Sequence, residues 1–168
     1  PFSEYHRLQA LSKLGHEVDL ITYPIGENVA IDNVTIYRSL KLPFVENVNI
    51  GPSLIKILLD IPLFIQAFWM VMTRHYDCIH THEEAVIVGA LLRKFFGYPH
   101  VYDMHSSLPE QMSNFGISRS KLLFKFGEFM ERWVLKHSSR TIVICPYLGE
   151  RVENLHRNQP YLVIENVP

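Results

Sequence analysis

The chain has 168 residues, 48% of them apolar, which is enough for one hydrophobic core and short for two domains. Sixteen basic against seventeen acidic side chains leave a formal charge of −1, which excludes the broad basic face of a nucleic-acid binder. Two cysteines, Cys78 and Cys145, have no CxxC or CxxH spacing; each falls in a predicted buried strand and reads as a small core residue in a reducing compartment.

In chain order, Ser3 can cap a first helix on which Tyr5, Leu8, Leu11 and Leu14 repeat at helical spacing until Gly15 ends it. Glu17 to Tyr23 then predicts a strand closed by Pro24, and Val34 to Arg38 a second one. In a doubly wound fold, a strand and a glycine-rich turn precede such a helix. The first strand is therefore expected upstream of Pro1, and the chain, which has no initiator methionine, is expected to be a fragment. Ser39 to Pro52, with Pro43, Asn47, Asn49, Gly51 and Pro52, predicts a loop.

Ser53 to Arg74 is the most apolar stretch, SLIKILLDIPLFIQAFWMVMTR. A spanning helix would bury Lys56 and Asp60 at roughly 2.5–3.5 kcal/mol each, so a helix packed on the sheet is expected instead. Ser53, Lys56, Asp60, Ala67 and Arg74 form one narrow stripe on the helical wheel, which leaves the rest apolar and predicts cover on more than one side. Pro62 should kink or divide this helix. Its outer apolar face, with Trp69, is a candidate contact for a membrane surface or a partner.

Tyr76 to Gln111 alternates apolar run, helix and apolar run. Cys78-Ile79 and Val101-Tyr102 predict buried strands, and Glu84 to Phe96 predicts a helix stopped by Gly97 with Pro99 beyond. Strand, helix, strand with short links is a crossover of a parallel sheet, and ligands of such sheets collect beyond the carboxyl ends of the strands. Those ends read His80-Thr81-His82-Glu83-Glu84 and Asp103-Met104-His105-Ser106-Ser107. Leu108 to Asn114 predicts a short helical turn. Ser118 or Ser120 then caps a helix from Lys121 to Lys136, with Leu122, Leu123, Phe126, Phe129, Met130, Trp133 and Val134 as its buried stripe. A strand over Thr141 to Cys145, a helix opened by Pro146 and a strand over Leu162 to Ile164 complete an α/β sandwich with a mainly parallel sheet.

His105 is the best candidate for chemistry. An imidazole at a strand end can exchange a proton near neutral pH, and the hydroxyls and amides of Ser106 and Ser107 suit sugar hydroxyls or an anion. A satisfied structural histidine is the competing reading. Glu110 and Gln111 lie within reach of the same rim, either as ligand contacts or as ordinary turn residues. His80 and His82, two apart with Glu83 and Glu84 following, offer metal ligands together with Asp103 and His105; the competing reading is one buried histidine and two carboxylates at a helix start. Glu128, Glu131 and Arg132 read as a solvated helix face. GxGxxG, GxxxxGK[ST], GxSxG and HExxH are absent from the sequence.

Three stretches resemble the N-terminal, acceptor-side domain of a family 4 retaining glycosyltransferase of the GT-B fold. LSKLGHEVDLITYP stands where the family has the helix and strand after its glycine-rich loop. YDCIHTHEEAVIVGALLRKFFGYPHVYDMHSSLPEQ stands at its D-V-I-H-x-H and V-x-T-x-H segments, and SRTIVICPYLGERV with VIENVP at the domain's end. The likeness covers essentially the whole chain. It implies one Rossmann-like three-layer sandwich over residues 1–168, and sugar transfer, hexosyl transfer above all, from a nucleotide-sugar donor to a glycan, lipid or small-molecule acceptor, without a metal ion or other cofactor. It also implies that His105 faces the transferred sugar, that His82, Glu83, Ser106, Ser107 and Glu110 line the acceptor side, and that the protein is cytoplasmic, at the inner face of the membrane through Ser53 to Arg74. The family's glycine-rich loop and its donor-binding domain, with a basic pair and an E-x7-E motif, are not within the 168 residues, so this piece alone is expected to be inactive. Two alternatives stand beside this reading: a non-catalytic Rossmann-like module that pairs with a separate catalytic chain, and a metal-dependent hydrolase built on His80, His82, Asp103 and His105.

Overall fold

The computed structural model describes residues 2–41, 54–114 and 121–165. Most of the expected loop before Ser53, and both candidate caps Ser118 and Ser120, lie outside the described residues. The chain divides into two compact units, one drawing on described residues within 2–41 and 54–70, the other on residues 71–165.

The first unit starts with α1 (Phe2–Lys13), which already contains Ser3, so Ser3 does not precede the helix as a cap. Gly15, at φ +85°, takes the left-handed conformation that ends it, and the His16 amide returns to the Leu11 carbonyl at 3.1 Å. β1 (Val18–Thr22) and β2 (Val34–Arg38) pair in parallel, Val18 opposite Val34 and Thr22 opposite Arg38. Arg38 then organises the chain beyond β1: its guanidinium donates to Thr22 Oγ1, to the carbonyls of Tyr23, Ile25 and Glu27, and to Asn28 Oδ1.

α2 (Leu54–Thr73) runs through Pro62 without being divided. The stripe expected to be polar is not its solvent face. Ala67 is buried, and Asp60 is half-buried because the Tyr23 hydroxyl donates to its carboxylate at 2.6 Å. Leu58, Ile61, Ile65, Trp69 and Met72, spaced at helical intervals, are each more than half exposed. No helix among the described residues is long and apolar enough to cross a membrane.

The second unit contains β3 (Ile79–His82), a 3-10 turn (Glu83–Ala85), α3 (Val86–Phe96), β4 (His100–Met104), α4 (Leu108–Asn114), α5 (Lys121–Lys136), β5 (Arg140–Val143), α6 (Pro146–Leu155) and β6 (Tyr161–Val163). The four strands form one sheet in the order β3-β4-β5-β6, all parallel, with His82 opposite Asp103 and Met104 opposite Val143. Each strand reaches its neighbour through a helical connection, as parallel pairing requires. Gly97 ends α3 at φ +79°, its amide donating to the Arg93 carbonyl. Val86, Ala90, Tyr102, Met104, Val134, Leu135, Val143, Leu148 and Val152 form the core. Gly89 has no side chain because the His100 ring lies against it; a Cβ there would collide with that ring and with the Thr81 methyl.

Two expectations fail on pairing register and burial. Pairing starts at Ile79, so Cys78 precedes β3 and is exposed, while Cys145 stands at the N-cap of α6 rather than within a strand. On α5, Val134 is buried and Met130 and Trp133 pack against the core as expected, but Leu122, Phe126 and Phe129 are 76%, 52% and 62% exposed, and Gly127, Glu131 and Leu135 are buried as well. Val134 and Leu135 carry this face into the core, and Glu131 is tolerated among them because its carboxylate finds partners there. An amphipathic pattern counted from apolar residues alone does not reveal that.

Candidate active site

Strand alternation divides the chemistry between the two faces of the second sheet. Thr81, Tyr102 and Met104 point to one face, where the apolar core and the His100 ring lie. His80, His82 and Asp103 share the other, because His82 and Asp103 are register partners and His80 lies two residues back. His105, the residue after β4, continues that alternation.

Asp103 is fully buried, and its two oxygens face two imidazoles: His105 Nε2 stands 3.4 Å from Oδ1 and His80 Nε2 3.5 Å from Oδ2. These spacings are those of ion pairs rather than close hydrogen bonds. The His82 and His105 rings meet edge to face, with centroids 4.1 Å apart and planes at 82°. The His80 side chain is 32% exposed and that of His105 14%, with its Nε2 buried toward the carboxylate. A buried carboxylate beside an imidazole fixes the ring's orientation. His82, Asp103 and His105 also each present a ligand atom within 4.8 Å of the others, a donor set of two nitrogens and one oxygen that suits a divalent cation.

The remaining candidates take several roles. Glu83 is half-buried and opens the 3-10 turn in the left-handed region, at φ +48°, where a residue with a side chain is uncommon and where strain gathers near functional sites. Ser106 accepts a hydrogen bond from Gln111 Nε2 at 2.9 Å. Ser107 and Glu110 form a capping box: the Ser107 amide donates to Glu110 Oε2 at 3.1 Å, and the Glu110 amide to Ser107 Oγ at 3.3 Å. Their polar atoms are engaged with each other, so they shape the turn after His105. The S-x-x-E spacing that signals this box was present in the sequence.

Glu131 was missed. It is fully buried; Arg151 donates to its Oε2 from Nε at 3.0 Å and from a terminal nitrogen at 2.6 Å, and the Leu108 amide donates to Oε1 at 3.2 Å. Burial raises its pKa, and Arg151 and the amide oppose that rise. Its place four residues after Gly127 and four before Leu135 marks it as inward-facing only once those two are known to be buried.

The family model for Glycosyltransferase Family 4 matches residues 5–167. No curated protein matches the chain. Among solved structures, sucrose-phosphate synthase from Thermosynechococcus elongatus is similar at 20% identity with a TM-score of 0.69, over 96% of this chain and 41% of that one. That likeness is one of fold, and the chain spans about two fifths of that structure's length. With helices between parallel strands, histidines gathered at the strand ends and a family match over nearly every residue, the chain belongs to glycosyltransferase family 4.

Proposed function

We propose that this chain supplies the acceptor-facing half of a retaining glycosyltransferase, which moves a hexosyl group from a nucleotide-sugar to a glycan, lipid or small-molecule acceptor. The observation that carries this reading is the pairing of His105 with His82 over the buried Asp103, at the ends of adjacent parallel strands. His105 donates a hydrogen bond to the transferred sugar. His82, Glu83 and Ser106 face the acceptor, and Ser107 and Glu110 hold the turn that presents them. The donor is bound mainly by a further domain, and no metal ion takes part. The test uses the complete enzyme: a labelled nucleotide-sugar is supplied with EDTA, and the anomeric configuration of the product is read by proton NMR. Retention with undiminished rate is expected. Inversion would remove the mechanism, and loss of activity in EDTA with stoichiometric zinc in the purified protein would replace it with the metal-dependent hydrolase.

The acceptor-side reading extends to a bilayer. The exposed stripe Leu58, Ile61, Ile65, Trp69 and Met72 ends beside the cation Arg74 and carries one tryptophan, features that suit the headgroup boundary of an anionic membrane. Vesicles rich in phosphatidylglycerol should co-sediment the protein at low salt, and Ile65→Glu with Trp69→Glu should abolish this. Equal recovery of both forms in the supernatant would remove the membrane from the proposal.

A further inference from the structure

We infer that Glu131 and Arg151 are positioning residues for the turn that presents His105, acting through the backbone of Leu108 rather than through substrate. The inference rests on the sugar-transfer reading of His105. Glu131 is oddly placed for a carboxylate: it is fully buried on α5. Buried charge persists where it is paired and its remaining lone pairs are satisfied. Arg151, from α6, engages one carboxylate oxygen through two of its nitrogens, and the other oxygen stays available for a third group. That group is the amide of Leu108, the first residue of α4 and three residues past His105.

The amides at a helix start have no partner within the helix. The capping box supplies one for Glu110, and Ser107, ahead of the helix, donates to the Glu110 side chain; Glu131 supplies the partner for Leu108. With Gln111 reaching back to Ser106, the backbone from Ser106 to Gln111 is fixed at several points, and the Glu131 bond ties it to α5 and, through Arg151, to α6. A shift of this turn moves His105 and Ser106 together, and a displacement of about 1 Å at a reacting centre lowers rates by on the order of 10²-fold.

Joint removal of the two side chains separates a structural pair from a positioning pair. Replacing both partners of a buried ion pair with apolar residues of similar size is often neutral for stability. The complete enzyme carrying Glu131→Met and Arg151→Leu together should therefore keep its melting temperature within a few degrees. It should lose kcat by on the order of 10²-fold with the donor KM unchanged, and exchange the Leu108 amide faster with solvent. Glu131→Gln, which keeps an oxygen for the Leu108 amide, should retain most of the activity. A double variant with wild-type kcat and wild-type exchange at Leu108 overturns the inference. If the double variant does not fold, Glu131→Gln decides alone, since a loss of kcat as large as that of His105→Ala would show that the charge and not the anchor matters. Failure of the sugar-transfer reading is told apart by His105→Ala: full activity there defeats that reading, while Leu108 exchange still judges the anchor.

Discussion

Replacing His105 with alanine in the complete enzyme should lower kcat by about 10²-fold or more, the range of a side chain that acts on a proton or a developing charge. In free energy this is about 2.7 kcal/mol of lost transition-state stabilisation. The loss should fall on kcat rather than on the donor KM, because the imidazole is proposed to meet the transferred sugar while the nucleotide is held elsewhere. The fold should survive, since the ring lies beyond the end of β4 and outside the apolar core. His105→Asn, which keeps a hydrogen-bond donor but cannot carry a proton, separates two roles: partial recovery means the ring mainly donates to a sugar hydroxyl, and no recovery means its charge matters. Turnover within two-fold of wild type for His105→Ala would return the residue to a structural part.

Acid should destabilise the second unit through His100. This ring is buried beside Gly89; its Nδ1 contacts the His137 carbonyl and Ser138 Oγ at 3.2 Å each, and its Nε2 lies 2.7 Å from Thr81 Oγ1. A carbonyl only accepts, so Nδ1 carries the proton and Nε2 takes the Thr81 hydroxyl hydrogen, which is the neutral form. Burial lowers its pKa to about 4 from 6.5, against the pull of the His137 carbonyl and with Arg93 and His80 adding to the fall. The unfolded chain therefore binds this proton first as pH drops. Stability is complete above about pH 6.5 and declines between 6.5 and 4, by about 3 kcal/mol at the lower end. Urea midpoints at pH 7, 5.5 and 4 measure the slope, and His100→Asn should flatten it. A wild-type midpoint unchanged from pH 7 to pH 4.5 would defeat the assignment.

The parts of this structure that the sequence revealed are those coded by local pattern. β3, α3 and β4 arise from two short apolar runs around a periodic segment with Gly97 at its end, and from that order comes the placement of His82 and His105 at neighbouring strand ends. The parts it concealed depend on partners distant in the chain. Asp60 turns inward on account of Tyr23, 37 residues away, and Glu131 on account of Arg151, 20 residues away, so the solvent face of α2 is largely apolar and that of α5 mixes Leu122, Phe126 and Phe129 with Lys121, Lys125 and Arg132. Apolar periodicity assumes that charge seeks water, and a well-partnered charge does not. Ser107 and Glu110 show the converse case: their spacing was visible, and only geometry distinguishes a capping pair from ligand contacts.

β4 lies between β3 and β5, with a ladder on each side. A strand in that position cannot fray sideways, and its amides should be among the last in the unit to exchange when the protein opens locally. His105 thus follows directly on a persistent backbone, and the turn beyond it is held in its own right by the hydrogen bonds of Ser107, Glu110 and Gln111. Local opening of the unit would then spare the stretch that carries the imidazole.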